Sequence, residues 1–122
     1  MAGCRDNFSD VAAALDWFLE LKPRPTAVIA ASDSRALLLL QAAAERGLRV
    51  PQDLAITGYG DTAVRTGRSA ILTSVWVDPA AMGRRAAELV LGPAEAPPEY
   101  VKIPPELAVR GSTAAPAEGG RR

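Results

Sequence analysis

Two short runs carry the side chains best suited to chemistry. Ser32-Asp33 and Gly60-Asp61 each stand where an apolar run ends. A hydroxyl and two carboxylates can bond a ligand, and two carboxylates brought together can share acid–base work. The usual catalytic partners are missing. The 122 residues include no histidine, which removes the commonest general base and the commonest metal ligand. Cys4 is the one cysteine and has no histidine with which to form a nucleophilic dyad. There is no Gly-x-Ser-x-Gly elbow, and no cysteine or acidic cluster has metal-ligand spacing. The expectation is therefore a binding element with no metal, no cofactor and no enzymatic activity. A metal-free carboxylate mechanism on Asp33 and Asp61 is the one catalytic alternative.

Those residues need a scaffold that brings strand ends together. Thr26–Ala31 is continuously apolar, as expected of a strand buried on both faces. A helix capped by Ser32 or Asp33 follows to about Arg46, with Gly47 suited to its C-terminal turn and Pro51 a stop beyond it. Asp53–Gly58 is the next strand. Such β-α-β alternation gives a parallel sheet, and ligands bind such sheets beyond the carboxyl ends of the strands. Ser32, Asp33, Gly60 and Asp61 all fall at that edge.

The flanking elements are read in the same way. Ser9 is placed as the N-cap of a first helix, with Val11, Leu15, Phe18 and Leu19 at helical spacing and Pro23 and Pro25 ending it. Residues 59–70 read as a loop, and Ile71–Val77 as a strand carrying Trp76 near its end. Asp78-Pro79 opens a further helix whose apolar face includes Met82, Ala86, Leu89 and Val90. A Pro-rich connector, a short strand Tyr100–Ile103 and an extended piece Leu107–Val109 follow. On the second helix, Arg35, Gln41, Glu45 and Arg46 mark a polar arc at ~100° per residue. Leu38 and Ala42 fall inside it and Leu37 lies at one side. Either this is an association face, or another part of the chain covers it.

Bulk composition bounds the class. Hydrophobic residues make up 48% and charged residues 23%, and 14 basic residues balance 14 acidic ones. No net field draws the chain to nucleic acid or to an acidic membrane. A single cysteine fits a reduced, cytoplasmic setting, and no apolar block is long enough to span a bilayer. Gly58-Tyr59-Gly60-Asp61-Thr62-Ala63 matches a dinucleotide fingerprint after a strand. That fingerprint needs a helix N-terminus for the pyrophosphate, and no multi-turn helix fits between Val64 and Ala70. A glycine-bearing turn is the expectation there.

The run Thr26-Ala27-Val28-Ile29-Ala30-Ala31-Ser32-Asp33 resembles the LacI/GalR family of bacterial transcription regulators. So do Arg46-Gly47-Leu48-Arg49-Val50-Pro51-Gln52-Asp53 through Tyr59, Leu72-Thr73-Ser74-Val75, Met82–Leu89, and Ile103 through Arg110-Gly111-Ser112-Thr113, in the family's order and spacing. The resemblance implies an α/β fold: a partial parallel sheet of a periplasmic-binding-protein-like (type I) sensor domain, with a crossover strand at Leu72–Val77 and a trailing helix. It implies that residues 1–113 are the C-terminal part of an effector-binding domain and 114–122 a disordered tail. The helix-turn-helix domain that contacts operator DNA, and the subdomain that would cover Met82, Ala86 and Leu89, would lie outside the chain.

The same resemblance places the effector, a sugar or related metabolite, against Phe8, Ser32 and Asp33, with Asp61 as the adjacent acid that serves if its turn shifts. Gly60 stands where the family usually has a ligand-binding Asp, and Trp76 lies on the crossover near the cleft. Leu37, Leu38 and Gln41 lie on the helix that the family uses to form homodimers. No membrane partner is implied. A solute-binding transport protein of the same fold is the rival reading, and the ending Pro105-Glu106-Leu107-Ala108-Val109-Arg110-Gly111-Ser112-Thr113 favours the regulator.

Overall fold

The computed structural model describes residues 10–67, 71–92 and 100–113. The elements in chain order are α1 (Val11–Glu20), β1 (Ala27–Ile29), α2 (Asp33–Glu45), β2 (Ala55–Tyr59), α3 (Thr62–Arg65), β3 (Thr73–Trp76), α4 (Pro79–Leu91) and β4 (Glu106–Ala108). Four strands form one sheet in the order β1-β2-β3-β4. β1, β2 and β3 run parallel, and β4 pairs antiparallel to β3 with Trp76 opposite Glu106. The parallel strands therefore end on a common edge.

Local chemistry sets most of the boundaries. Ser32 caps α2 by accepting the Arg35 N–H at 3.4 Å. Asp78 caps α4 by accepting from Ala80 and Ala81 at 2.9 and 3.2 Å, with Pro79 at the first helical position. Gly47 ends α2 at φ 69°, a conformation that costs glycine nothing. The first helix starts one residue later than expected. Asp10, not Ser9, is its N-cap, and its Oδ1 accepts the Ala13 N–H at 3.0 Å. The expected strand at Tyr100–Ile103 is not formed; the only strand among residues 100–113 is β4. The stretch after β2 holds a single helical turn, α3.

The core lies between the sheet and the α1–α2 pair. Leu15, Ala36, Leu39, Ala43, Leu54, Ile56 and Leu72 are buried together. Each large aliphatic side chain among them contributes roughly 1.5–3 kcal/mol. α1 packs on α2, and Arg46 pins the two. Its Nε and Nη2 meet the Asp16 carboxylate at 2.6 and 2.8 Å, while Nη1 and Nη2 donate to the Ala42 and Ala12 carbonyls. The Arg46 guanidinium holds the Asp16 carboxyl below its ordinary range. This packing buries Ala42, so one side of the α2 arc is covered by the chain's own first helix.

One expected burial is not met. β1 is not enclosed on both faces: Val28 packs against the core, while Ile29, on the opposite face of the strand, is 85% exposed. A groove of about 190 Å³ runs along it, lined by Val11, Ala14, Phe18, Ile29, Arg35 and Leu39 among others. α4 has no buried residue, and Met82, Leu89, Val90 and Leu91 are all exposed. That uncovered face is the one expected from its sequence. No helix among the described residues is long and apolar enough to cross a membrane.

Candidate functional site

The shared C-terminal edge of β1, β2 and β3 gathers Ser32, Asp33, Gly60, Asp61 and Trp76, each supplied by the residue or turn that ends a strand. Phe8 lies outside the described residues. Ser32 is half-buried at the head of α2, with its hydroxyl used in the cap.

The two carboxylates are turned inward. Asp33 is buried, and its Oδ1 accepts the Ser74 hydroxyl at 2.6 Å while Oδ2 accepts from the Thr62 hydroxyl at 3.4 Å. The close fit extends to the strand behind it: a Cβ on Gly58 would overlap Asp33 Oδ1. Asp61 is buried as well, in left-handed backbone at φ 50°. Aspartate tolerates that region better than most residues. Its two oxygens accept Arg110 Nη1 at 2.6 Å and Nη2 at 3.0 Å, and its N–H donates to Ser74 Oγ at 3.1 Å. The Asp61 carboxylate raises the Arg110 guanidinium above its ordinary pKa. A ligand reaching either carboxylate would have to displace a partner that is already well bonded.

Gly60 and Trp76 complete the edge, and both are half-buried. Gly60, at φ 110°, brings no side chain, and its N–H is given to the Val75 carbonyl at 2.7 Å. Trp76 is half-buried at the end of β3, with the Arg65 guanidinium carbon 3.5 Å from its ring centroid. That cation–π contact joins α3 to β3. Tyr59 and Thr62 are exposed. Among the described residues no group of three or more His, Cys, Asp or Glu side chains is placed to hold a metal ion.

Several polar residues central to this arrangement were not singled out from the sequence. Ser74 bridges Asp33 and Asp61. Arg110 also donates to the Leu72 carbonyl at 2.7 Å. Ser112 is fully buried; its hydroxyl donates to the Ile56 carbonyl at 2.6 Å and accepts the Thr73 N–H at 2.8 Å. The available signal was two small hydroxyl residues, Thr73 and Ser74, inside an apolar strand, since buried hydroxyls demand partners.

The α2 surface divides. Leu38 is 53% exposed and Gln41 is exposed, its amide donating to Glu45 at 2.9 Å. Leu37 is half-buried against the core.

Residues 3–113 match the model of the periplasmic binding protein-like domain. The chain belongs to that family. Within the periplasmic binding protein-like family it is of the LacI/GalR type. It is 42% identical over 100 residues to the HTH-type transcriptional regulator MalR of Streptomyces coelicolor, covering 79% of this chain and 29% of the regulator. Among solved structures, a LacI family transcriptional regulator from Silicibacter pomeroyi superposes with a TM-score of 0.75 at 29% identity, over 91% of this chain and 41% of that one. The transcriptional regulator CelR, solved as a cellobiose complex, gives 0.73 at 32% identity, over 88% and 34%. The chain thus spans less than a third of MalR's length.

Proposed function

We propose that this chain is effector-sensing and dimerising sequence of a LacI-type transcriptional regulator. The effector, a sugar or related small metabolite, meets the C-terminal edge of the sheet at Ser32, Gly60 and Trp76, with Phe8 adding an aromatic face. Asp33 and Asp61 serve this edge by fixing its turns. Operator DNA is contacted by a helix-turn-helix domain of the whole regulator, and effector acts by favouring one of two domain orientations. Leu38 and Gln41, with Leu37 beside them, form the homodimer surface on α2. The protein is cytoplasmic and catalyses no reaction.

The supporting observation is the edge itself: three parallel strands end together around a bonded network, with a half-buried Trp76 and a side-chain-free Gly60 at the same edge. Its relatives are named as regulators, and CelR was solved with a sugar. Aromatic faces such as Trp76 suit the C–H surfaces of sugars.

Tryptophan emission tests this. The chain has two tryptophans, Trp17 on α1 and Trp76 on β3. Cellobiose titrated into the chain changes the emission, and Trp76→Phe abolishes the change. A response that survives in Trp76→Phe, carried by Trp17 alone, would contradict the placement.

A further inference from the structure

The effector edge depends on a residue remote from it in sequence. We infer that Arg110 is a positioning residue for this edge, acting through Asp61; the inference rests on the effector reading above. Arg110 follows β4 by two residues, and its guanidinium makes three bonds. Two clamp Asp61 end-on, through Nη1 and Nη2, and the third reaches the Leu72 carbonyl before β3. Its backbone is tied as well, its N–H donating to Thr73 Oγ1 at 2.7 Å.

The clamp acts on the turn that most needs holding. Gly60 and Asp61 both have positive φ, at 110° and 50°. Glycine adopts this freely, but an aspartate does so at a cost that local bonds must offset. Asp61 has three such bonds: two from Arg110 and one from its own N–H to Ser74. Ser74 is in turn bonded to Asp33, the first residue of α2. Arg110, Asp61, Ser74 and Asp33 therefore form one continuous chain of contacts. It runs from the segment after β4 to the helix that Ser32 caps. With the clamp in place, Gly60 presents bare backbone and α3 carries Arg65 onto Trp76. Without it, Asp61 has no charged partner and the turn is free to return to negative φ.

The arrangement needs a guanidinium rather than a simple cation. Only arginine offers a planar fork to both carboxylate oxygens with donors left for a carbonyl.

Amide hydrogen exchange and cellobiose binding on the 122-residue chain test this, with Arg110→Gln, Arg110→Lys and the double variant Asp61→Asn/Arg110→Gln. Arg110→Gln is expected to speed exchange at Gly60 and Asp61 at least tenfold while Leu39 and Ala43 in α2 stay within twofold. The same variant raises the cellobiose Kd at least tenfold, and Arg110→Lys recovers only part of both effects. The double variant, with amides facing each other, guards against loss of folding from an unpaired buried carboxylate and shows the same local exchange. Exchange that rises equally at Leu39, Ala43 and Asp61 overturns the proposal, because the clamp would then be general structure. So does an unchanged Kd in a variant whose Gly60–Asp61 turn has loosened. If the unsubstituted chain gives no Trp76 response to cellobiose, the effector reading falls and this role for Arg110 falls with it, even where the exchange pattern stays local.

Discussion

Arg110 and Asp61, 49 residues apart, meet end-on at 2.6 and 3.0 Å beneath the edge where three parallel strands end. The pair closes the turn after β2 onto the segment after β4, across the intervening strand β3. Much of the chain's behaviour follows from how tightly this region is filled.

Gly58 is filled most tightly. A methyl group there would overlap Asp33 Oδ1 and press on Leu72 at 3.1 Å. Gly58→Ala should cost about 2 kcal/mol or more, as overpacking in cores does, read as a lowered urea midpoint. Gly83, inside α4, has nothing within 4 Å of an added Cβ. Gly83→Ala should instead steady α4 by about 1 kcal/mol, read as slower amide exchange in that helix. Equal effects at both positions would contradict the packing described.

Ser74→Ala removes the hydroxyl that donates to Asp33 and accepts from Asp61. Two buried groups lose a partner, one of them a carboxylate. The expected loss is roughly 2–3 kcal/mol, measured by urea unfolding. Ser34→Ala, on the exposed first turn of α2, should change stability by less than about 0.5 kcal/mol.

Acid should weaken the fold partly through Asp53. Arg49 donates to this carboxylate through its backbone and its guanidinium, at 2.7 and 2.8 Å. These bonds hold Asp53 far below the ordinary value of 3.8. A carboxyl depressed in the folded state stabilises above its unfolded pKa, and the benefit drains away as pH falls below that value. The urea midpoint should therefore drop between about pH 4 and pH 2. Asp53→Asn should flatten that part of the profile, and a variant with an unchanged slope would show that Asp53 is not a source of it.

Leu38 tests the α2 surface. If this face joins two copies, Leu38→Glu gives monomers in sedimentation velocity at concentrations where the unsubstituted chain is dimeric. Leu107→Glu, on exposed β4, serves as the control and leaves the dimer intact. Dissociation by Leu107→Glu rather than Leu38→Glu would move the interface to the sheet's outer strand.

What could be read from the sequence was local. The caps at Ser32 and Asp78, the glycine at the end of α2 and the convergence of strand ends all follow from neighbours a few residues apart. The inward turn of Asp33 and Asp61 was not legible, because their partners Ser74 and Arg110 lie 41 and 49 residues away. The burial of Ala42 depended on where α1 would pack. The exposure of Ile29 depended on whether anything covers the face of β1 opposite Val28, and an apolar run reads the same with one face covered as with both. Ser112 carries no pattern of its own; only the meeting of three segments makes its hydroxyl a structural bond.

The placement of the effector is the claim on which the rest turns, and ¹H–¹⁵N shift mapping of the chain against a panel of neutral sugars including cellobiose tests it most directly. The account predicts that every sugar that binds shifts Ser32, Gly60 and the Trp76 indole. Shifts confined to the open cavity of about 450 Å³ at the opposite edge of the sheet, lined by Arg24, Thr26, Leu48 and Gln52 among others, would contradict it.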